Sequence, residues 1–317
     1  MDDMRAALYD RYGPPEVLRE GRVPVPELEQ GEVLVRVHAL SVNGGELYGR
    51  AGRVRLVTGS RFPLRTGMDF TGEIARVDSA VKGLHEGDRV WGLLGRTFGS
   101  AAEYVAVRPR QLSYAPANVS LVEAASLPAG TTAITALETK ARLKAGERLL
   151  VRGASGGIGS VAVQLGKALG AHVAGLAGGK NLDFVRELGA DEAYDYRTTR
   201  PEELGPFDVV LDTVGTEHRT FRKLLAPGGR MVSIAFDIDH LAASLSYLLA
   251  STAHGPRRVR FFSGNPKHDL FAKLTAYVES GAIRPVVDTV HPLSDIAAAH
   301  RALEAGGVRG KHVVRVV

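Results

Sequence analysis

The sequence predicts an α/β protein with two parts, a β-rich part and a doubly wound parallel sheet covered by helices. The first 115 or so residues contain short alternating apolar segments broken by Gly and Pro, such as Val33–Val37 and Tyr104–Val107. From about residue 121, helical stretches alternate with short apolar runs, which is the pattern of βαβ units. The length of 317 residues also exceeds what one hydrophobic core usually organises.

The composition excludes several classes of protein. The chain has no cysteine, so it forms no disulfide, no catalytic thiol and no thiolate metal site. Its 10 histidines include no HExxH pair, and we expect no metal. We also expect no membrane contact and a cytoplasmic protein, because no apolar run approaches membrane-spanning length and the charged start is no signal peptide.

The charge is moderately basic, with a formal net charge of +5. Most of the 40 basic residues are scattered among 35 acidic ones, so we expect no nucleic-acid surface. Two groups of arginines stand apart, and their simplest interpretation is solvated loops. They are Arg50, Arg53, Arg55, Arg61 and Arg65, and Arg257, Arg258 and Arg260.

The strands of the second part are short apolar runs. The last 30 or so residues again show the β-rich pattern of the first part, with a helix over Leu293–Glu304 that Ser294 begins as N-cap and Gly306–Gly307 ends. We expect two domains, with a boundary near residue 120, and residues 121–284 form the second. The predicted strands are Arg148–Arg152, His172–Leu176, Asp208–Asp212 and Arg230–Ile234, and at the end of the chain Val286–Val287 and His312–Val316.

The strongest local signal is a glycine-rich turn between a strand and a helix. Glycines let backbone N–H groups approach a pyrophosphate, and the helix N-terminus stabilises its charge. The pattern Ala154-x-Gly156-x-x-Gly159 departs from the usual one at its first glycine, and the alternative is a turn that only packs a helix on a strand. The predicted dinucleotide-binding residues here are Gly153, Ala154, Ser155, Gly156, Gly157 and Ile158.

The residues after the second strand indicate which nicotinamide cofactor binds. NAD sites place an acidic residue there to bind the ribose hydroxyls. This chain instead has Lys180, in the run from Ala177 to Asn181, and a lysine suits a 2′-phosphate. NADPH is therefore the predicted cofactor. The alternative for Lys180 is an ordinary solvated lysine.

Seven segments in chain order resemble the zinc-free quinone oxidoreductase and enoyl reductase branch of the medium-chain dehydrogenase/reductase superfamily. The resemblance covers essentially the whole chain. It implies a GroES-like catalytic domain, formed by residues 1–120 together with 285–317, and a Rossmann cofactor domain, residues 121–284. The segments are Gly13–Leu18, Ser41–Asn43, Gly67–Glu73, Gly87–Val90, Leu188–Asp191, Asp212–Gly215 and Gly310–Lys311.

The resemblance also implies the chemistry. The positions of the metal-site residues in zinc alcohol dehydrogenases match Asn43, Met68 and Asp69 here, which cannot form that zinc site. A quinone or an α,β-unsaturated carbonyl (enone or enoyl) acceptor takes hydride at a conjugated position without a Lewis acid. We therefore expect conjugate reduction. The sequence does not separate quinone from enone acceptors.

Further site residues are implied by the resemblance. Tyr48 is the candidate proton donor, the alternative being water, and Asn43 positions the nicotinamide ribose or the substrate. Thr131 lies near the carboxamide, or is only a helix-start hydroxyl, and Tyr196 adds a hydroxyl near the 2′-phosphate. The remaining cofactor residues are Val214, Gly215, Ser233, Ile234, Phe262 and Ser263.

Two regions are particular to this chain. Arg53 and Arg55 lie where the resemblance places the substrate mouth, and we interpret them as recognising an anionic or carrier-bound acceptor, with solvated charge as the alternative. The predicted helix Ile238–Ala253 carries Tyr247 and covers either the pocket, a dimer seam or its own domain. The resemblance implies a homodimer through the edge strand Val259–Phe262.

Two other functions remain open at the level of sequence. One is a non-catalytic or moonlighting NADPH-binding protein, and the basic charge permits a variant of it that binds nucleic acid. The other is a zinc alcohol dehydrogenase, against which the absence of cysteine argues.

Overall fold

The computed structural model describes residues 3–95, 97–236 and 240–317. Its contacts divide the chain into two compact units. The first unit joins Met1–Ala129 to Asn265–Val317, and the second unit is Gly130–Gly264.

These boundaries differ from the predicted ones in two segments. Residues 121–129 and 265–284, assigned from the sequence to the second part, lie with the first unit. Residues 265–284 belong to the first unit because their helix, His268–Glu279, packs on the strand Leu112–Tyr114 of that unit. A helix next to an α/β segment gives no sequence signal of which core it covers.

The first unit contains two sheets. Their strands are β1 (Asp3–Tyr9), β2 (Leu18–Pro24), β3 (Val33–Ser41), β4 (Leu64–Arg65), β5 (Asp69–Val77), β6 (Arg89–Leu93), β7 (Tyr104–Val107), β8 (Leu112–Tyr114), β15 (Val287–Pro292) and β16 (Lys311–Arg315). A three-stranded sheet has the order β2-β1-β4, and a seven-stranded sheet has the order β15-β16-β3-β5-β6-β8, with β7 paired to β3. The predicted strands Val33–Val37 and Tyr104–Val107 are confirmed within β3 and β7.

The core of this unit follows from the alternation along its central strand. Val33, Val35 and Val37 point to one face of β3 and are completely buried, whereas Arg36 between them is exposed. The helices of the unit are α1 (Gly44–Arg50), α2 (Arg55–Thr58), α3 (Leu121–Ala124), α9 (His268–Glu279) and α10 (Ile296–Ala305).

The end of the chain returns to the first unit, as predicted. Strand β16 pairs antiparallel with β3, and Gly306, with φ of 71°, ends α10. The prediction that Ser294 is the N-cap of this helix is wrong. Ser294 lies inside a 3₁₀ turn, Leu293–Asp295, and α10 begins only at Ile296.

The second unit is built on a six-stranded parallel sheet. Its strands are β9 (Arg148–Arg152), β10 (His172–Ala177), β11 (Glu192–Asp195), β12 (Phe207–Asp212), β13 (Leu225–Ser233) and β14 (Val259–Phe261). Their order, β11-β10-β9-β12-β13-β14, is the 3-2-1-4-5-6 order of dinucleotide-binding folds, which confirms the predicted Rossmann architecture. The sequence order reverses at β9, so the carboxyl ends of β9 and β12 flank the position where such folds bind ligands.

Helices connect the strands of this sheet. They are α4 (Thr131–Ile134), which continues as a π-helix (Thr135–Ala141), α5 (Gly157–Ala168), α6 (Leu182–Glu187), α7 (His218–Lys223) and α8 (Leu241–Ser251). The predicted helix Ile238–Ala253 corresponds to α8, and Ile238 lies outside the described residues. Among the described residues, no helix combines the length and apolar character needed to cross a bilayer.

Gly72 gives a test of the packing between β3 and β5. A Cβ atom at Gly72 would lie 2.0 Å from the carbonyl oxygen of Arg36, whereas one at Gly44 would have no neighbour within 4 Å. We expect Gly72→Ala to cost about 1–3 kcal/mol and to lower the thermal unfolding midpoint. Gly44→Ala is the matched control. The single tryptophan, Trp91, is buried in β6, so its fluorescence reports on the first unit. Equal midpoints for both variants would contradict this packing.

Candidate active site

The glycine-rich turn of the second unit has the backbone geometry of a phosphate cradle. Gly153 follows β9 with φ of 71°, a conformation that favours glycine. Its N–H and that of Ala154 donate to the carbonyl oxygen of Leu176, at 3.0 and 3.1 Å. A Cβ atom at Gly159 would lie 2.0 Å from the carbonyl oxygen of Gly153. Both glycines are therefore required for α5 to approach the strand so closely.

The start of α5 fits a dinucleotide pyrophosphate. Its N-cap, Gly156, supplies no side-chain hydrogen bond to the helix, so the first N–H groups of a 12-residue helix can bind an anion. A Cβ atom at Gly156 would have only one neighbour, the carbonyl oxygen of Gly153 at 3.4 Å. The Ser155 hydroxyl oxygen accepts a hydrogen bond of 3.2 Å from Asn181. Gly157 and Ile158 begin the helix.

A buried ion pair joins the carboxyl ends of the two central strands. Arg152, the last residue of β9, donates to Asp212, the last residue of β12, at 2.9 Å. Arg152 is 4% exposed, Asp212 is completely buried, and the guanidinium lies 3.7 Å from the ring centroid of Phe221. Burial alone would raise the pKa of Asp212, but the hydrogen bond from His218 and the charge of Arg152 hold it below its usual range.

Asp212 also shapes the predicted adenosine edge of the site. Its Oδ1 accepts hydrogen bonds from the N–H groups of Val214, at 3.0 Å, and Gly215, at 3.2 Å. The Ser233 hydroxyl donates to Asp212 Oδ2 at 3.3 Å. Ser233 is thus buried behind the turn and supports it, while Val214 is half-exposed beside it.

The end of β10 carries the predicted 2′-phosphate residues. Lys180 is exposed in a 3₁₀ turn, and Tyr196 follows β11 with 56% of its surface exposed. The guanidinium of Arg197 lies 5.4 Å from the Tyr196 ring centroid and adds a second cation. The carboxylate of Asp195 also lies close to this 3₁₀ turn. A Cβ atom at Gly179 would be 2.5 Å from Asp195 Oδ2.

The other predicted cofactor residues mostly follow strands of the same sheet. Ile234 follows β13, and Phe262 and Ser263 follow β14. Thr131 is buried at the start of α4. Apart from Ser233 and Thr131, every predicted cofactor residue therefore follows the carboxyl end of a strand, at the edge where parallel α/β sheets bind their ligands.

The first unit holds a buried polar cluster around Asn43. Lys311 Nζ donates to Asn43 Oδ1 at 2.6 Å and to the carbonyl oxygen of Val42 at 2.7 Å. On its other side, Asn43 Nδ2 donates to Asp69 Oδ2 at 2.8 Å and to Glu46 Oε1 at 3.0 Å. The carboxamide is held by an ammonium at its oxygen and by carboxyl groups at its nitrogen. Its role toward ribose or substrate stays a prediction, because these bonds are internal to the unit.

The carboxyl groups of this cluster are completely shielded from solvent. Asp69 also accepts hydrogen bonds from the Ser41 N–H, at 2.7 Å, and from the Ser41 hydroxyl, at 2.6 Å. Burial raises the pKa of Asp69, and it raises the pKa of Glu46 to about 7, with the charge of Asp69 adding to the effect. Burial also lowers the pKa of Lys311, while Asp69 and Glu46 counteract this.

A neutral histidine lies behind Glu46. His300 Nε2 is 3.9 Å from Glu46 Oε2, and burial together with the charge of Arg50 lowers the pKa of His300 to about 3. Arg50 is 2% exposed and pairs with Glu304, so the interpretation of Arg50 as a solvated loop residue is wrong. Within the described residues, no three His, Cys, Asp or Glu side chains are arranged to hold a metal ion.

The predicted acceptor residues of the first unit lie on and after α1. Tyr48 is 36% exposed, and its hydroxyl makes no hydrogen bond to any described residue. Arg53 and Arg55 are both exposed on the segment that follows. Their role toward an anionic acceptor remains a prediction.

Tyr247 occupies a structural position in the second unit. Its hydroxyl accepts a hydrogen bond of 2.8 Å from Arg222, and its ring stacks on His218 at 6.3 Å between centroids. Leu248 beside it packs on the core of the same unit. These contacts favour the third sequence interpretation of this helix, packing on its own domain, over a substrate contact by Tyr247.

Sequence reasoning missed four charged residues that organise the two sites. Arg152 and Asp212 had a signal, because opposite charges end two neighbouring apolar strands of a predicted parallel sheet. For Glu46 and Lys311 the sequence carried only a weak signal. Glu46 is an acidic residue in the first turn of a short helix, and Lys311 lies 268 positions after Asn43.

Family models match both parts of the chain. The alcohol dehydrogenase GroES-like domain matches residues 29–117, and the zinc-binding dehydrogenase model matches residues 188–314. The first match lies within the first unit, and the second match runs from the second unit into the last segment of the first. The second model is named for zinc binding, but the name does not imply a thiolate-bound zinc in this chain, because the chain has no cysteine.

Individual relatives span the whole chain. This chain is 34% identical over 325 residues to the chloroplastic NADPH-dependent alkenal/one oxidoreductase of Arabidopsis thaliana, and the match covers 98% of this chain and 79% of the relative. It is 35% identical over 329 residues to the 2-methylene-furan-3-one reductase of Solanum lycopersicum, covering 99% and 80%. The structure of the quinone oxidoreductase from Coxiella burnetii superposes with a TM-score of 0.91 at 30% identity over all of both chains.

The buried acid predicts a pH dependence of stability. The pKa of Glu46 is about 7 against an ordinary 4.5, so the folded state accommodates the neutral acid and tolerates the carboxylate poorly. Wild-type stability therefore includes a contribution that is complete below pH 4.5 and is lost as the pH rises through about 7. Glu46→Gln keeps the shape without the charge. Its stability relative to wild type should rise by on the order of 3 kcal/mol across this window.

The measurement is urea unfolding followed by Trp91 fluorescence at several pH values. Glu86→Gln, at an exposed position of the same unit, is the matched control and should follow wild type. A Glu46→Gln difference that does not change with pH would show that Glu46 is ionised throughout.

Proposed function

Because the chain belongs to the zinc-free quinone oxidoreductase branch of the medium-chain dehydrogenase/reductase superfamily, we propose that it is a zinc-independent, NADPH-dependent enone reductase. It is an oxidoreductase that transfers hydride to an enone or a quinone acceptor. Because the relatives are named as enzymes of this class, the alternative of a non-catalytic binding protein is not retained.

The observation that carries the metal-free mechanism is the buried ammonium of Lys311. It lies 2.6 Å from Asn43 Oδ1, in the cluster that matches the metal-site positions of zinc enzymes. A positive charge already balances the Asp69 carboxylate there, and a dication would be repelled by it. Asn43 and Asp69 also lack the thiolate and imidazole ligands that zinc prefers. We propose that Lys311, Asp69 and Glu46 fix the Asn43 carboxamide in place of a metal.

The proposal of NADPH over NADH rests on the end of β10. Lys180 and Arg197 supply two cations, and Tyr196 a hydroxyl, to a region where NAD sites place an acidic residue. The relative from Arabidopsis thaliana is named as NADPH-dependent, which supports the same choice. When bound, NADPH supplies the hydride, and the chain's residues hold and orient it. The Gly153–Ile158 turn would bind the pyrophosphate, and Val214 and Gly215 the adenosine side.

Conjugate reduction leaves negative charge on the acceptor oxygen, which requires a proton. Tyr48 is the candidate donor, because the residue is 36% exposed and its hydroxyl makes no hydrogen bond to any described residue. Enones rank above quinones in the proposal because two relatives with 34% and 35% identity are named for conjugated carbonyl substrates. Arg53 and Arg55 extend the proposal to acceptors with an anionic group.

We further propose a cytoplasmic homodimer. Its support is β14, Val259–Phe261, which is the last strand of the six-stranded sheet and pairs only on one side within the described residues. Such an edge strand can extend a sheet into a second subunit.

Substitution of Lys180 tests the cofactor. We expect Lys180→Ala to raise the KM for NADPH by about tenfold or more, because a charge-assisted hydrogen bond to the 2′-phosphate is lost. The KM for NADH should change little, since that cofactor has no 2′-phosphate. Lys223→Ala, an exposed lysine on α7, is the control and should leave both values unchanged. Equal effects on NADPH and NADH would refute recognition of the phosphate by Lys180.

Substitution of Tyr48 tests the proton donor. Tyr48→Phe should lower kcat for an enone such as 2-cyclohexenone by roughly 100-fold, within the range of general acid catalysis, with the KM for NADPH nearly unchanged. The effect on a benzoquinone should be smaller, because a hydroquinone oxygen is a weaker base than an enolate. Tyr114→Phe, a half-exposed tyrosine of the same unit, is the control. An unchanged kcat with the enone would assign the proton to water.

A further inference from the structure

A basic groove lies on the second unit, apart from the glycine-rich turn. It has a volume of about 820 Å³, and its wall includes Glu147, just before β9. At the sheet edge the groove follows β14 from Val259 to Phe261, next to the predicted cofactor residue Phe262. The groove therefore includes the amino end of β9, whereas the predicted pyrophosphate cradle around Gly153 follows the carboxyl end of that strand.

The two edges are separated by the length of the sheet. Strand β9 has 5 residues, which spans roughly 15 Å in an extended conformation. The groove and the cradle around Gly153 thus lie at opposite ends of this strand. A ligand in the groove would not compete with a cofactor in the cradle.

The lining of the groove is strongly cationic. Its charged residues include one carboxylate, Glu147, which is already bound by two nitrogens of Arg230 at 2.8 and 2.6 Å. The pKa of Arg260 is lowered by burial and by the charges of Arg258, Arg230 and Arg142, so these cations repel one another. The six cationic residues of the lining are Lys140, Arg142, Lys144, Arg230, Arg258 and Arg260.

Two of the six have a structural role. Arg230 donates to the carbonyl oxygens of Ala141 and Arg142, and Arg260 donates to that of Lys140. These carbonyl oxygens end the π-helix, where unpaired backbone acceptors attract cations. Arg230 and Arg260 are thus explained as helix caps.

The other four cations have no such explanation. In the described part of the chain, Lys140, Arg142, Lys144 and Arg258 form no ion pair, although Lys140 lies 5.9 Å from the ring centroid of Phe262. Arg142 adopts φ of 51°, a left-handed conformation that glycine would adopt at lower cost. An arginine there adds both backbone strain and another repelling charge. An anionic ligand would offset the repulsion.

We propose that this groove binds a compact ligand with two or more phosphate groups, at a site separate from the pyrophosphate cradle. Its volume lies within the range of small-molecule sites, and four unpaired cations match a polyphosphate charge. A nucleic-acid strand is less suited, since Phe261 is the sole aromatic among the lining residues and stacking needs several. Inorganic polyphosphate, a nucleotide or the phosphoadenosine part of coenzyme A would share this chemistry.

The site also bears on the edge strand. Arg258 and Arg260 flank or lie on β14, and charged side chains on an edge strand oppose pairing with another chain. A bound polyanion would remove this repulsion, so the groove and the proposed dimer edge are compatible.

The test is calorimetric titration with inorganic triphosphate at 150 mM salt, with NADPH present at saturation to fill its own phosphate sites. We expect one site per chain. The double variant Arg142→Ser/Arg258→Ser should bind at least about tenfold more weakly, because two charge-assisted contacts are lost. The matched control is Arg186→Ser/Arg200→Ser, which removes two exposed arginines that pair with Asp183 and Glu203 on the same unit. The control should bind like wild type.

Several outcomes decide the proposal. Equal weakening in both double variants would show nonspecific attraction and would overturn the site. Binding only of long single-stranded DNA or of anionic vesicles would overturn a compact ligand. Tighter binding of a nucleotide or of coenzyme A than of triphosphate would support the site and identify the source of the phosphates. NADPH oxidation with an enone should be unchanged in both variants, so this test is separate from that of the proposed function.

Discussion

A charge removed from water must be matched inside the fold, and this requirement governs both candidate sites. In the first unit Lys311 and Asp69 hold Asn43 from opposite sides, and in the second unit Arg152 and Asp212 join two strand ends. An unmatched charge at either place would cost several kcal/mol. Both sites are therefore rigid because their charges leave few alternative arrangements.

This rigidity connects the fold to the proposed chemistry. The Asp212 carboxylate fixes the turn of Val214 and Gly215, and Gly153 and Gly159 let α5 approach the same edge of the sheet. The first N–H groups of α5 are held in this way and can bind phosphate without reorganising. In the proposed mechanism, the cluster around Lys311 provides fixed positive charge at the positions that match the metal site of zinc relatives. Hydride acceptance at a conjugated carbon would then require such a site, a hydride donor and a proton source, and no Lewis acid.

The sequence predicted the parts that depend on local pattern. The glycine turn, the parallel strands and the return of the chain end to the first unit follow from short-range periodicity and from the resemblance. The cluster around Asn43 did not, because Lys311 reaches it from 268 positions away and Glu46 is buried only in three dimensions. Ser294 was misjudged because a 3₁₀ turn precedes α10. Arg50 was misjudged because the burial of an arginine at the end of a short helix depends on its partner Glu304.

Conjugate reduction by this chain should need no metal, and chelation tests this. The rate of NADPH oxidation with an enone is measured after chelator treatment, and the metal content of the same sample is determined by mass spectrometry. We expect an undiminished rate at far less than one metal ion per chain, and no increase on adding zinc. A rate that falls with the metal content and returns with stoichiometric zinc would refute the metal-free mechanism.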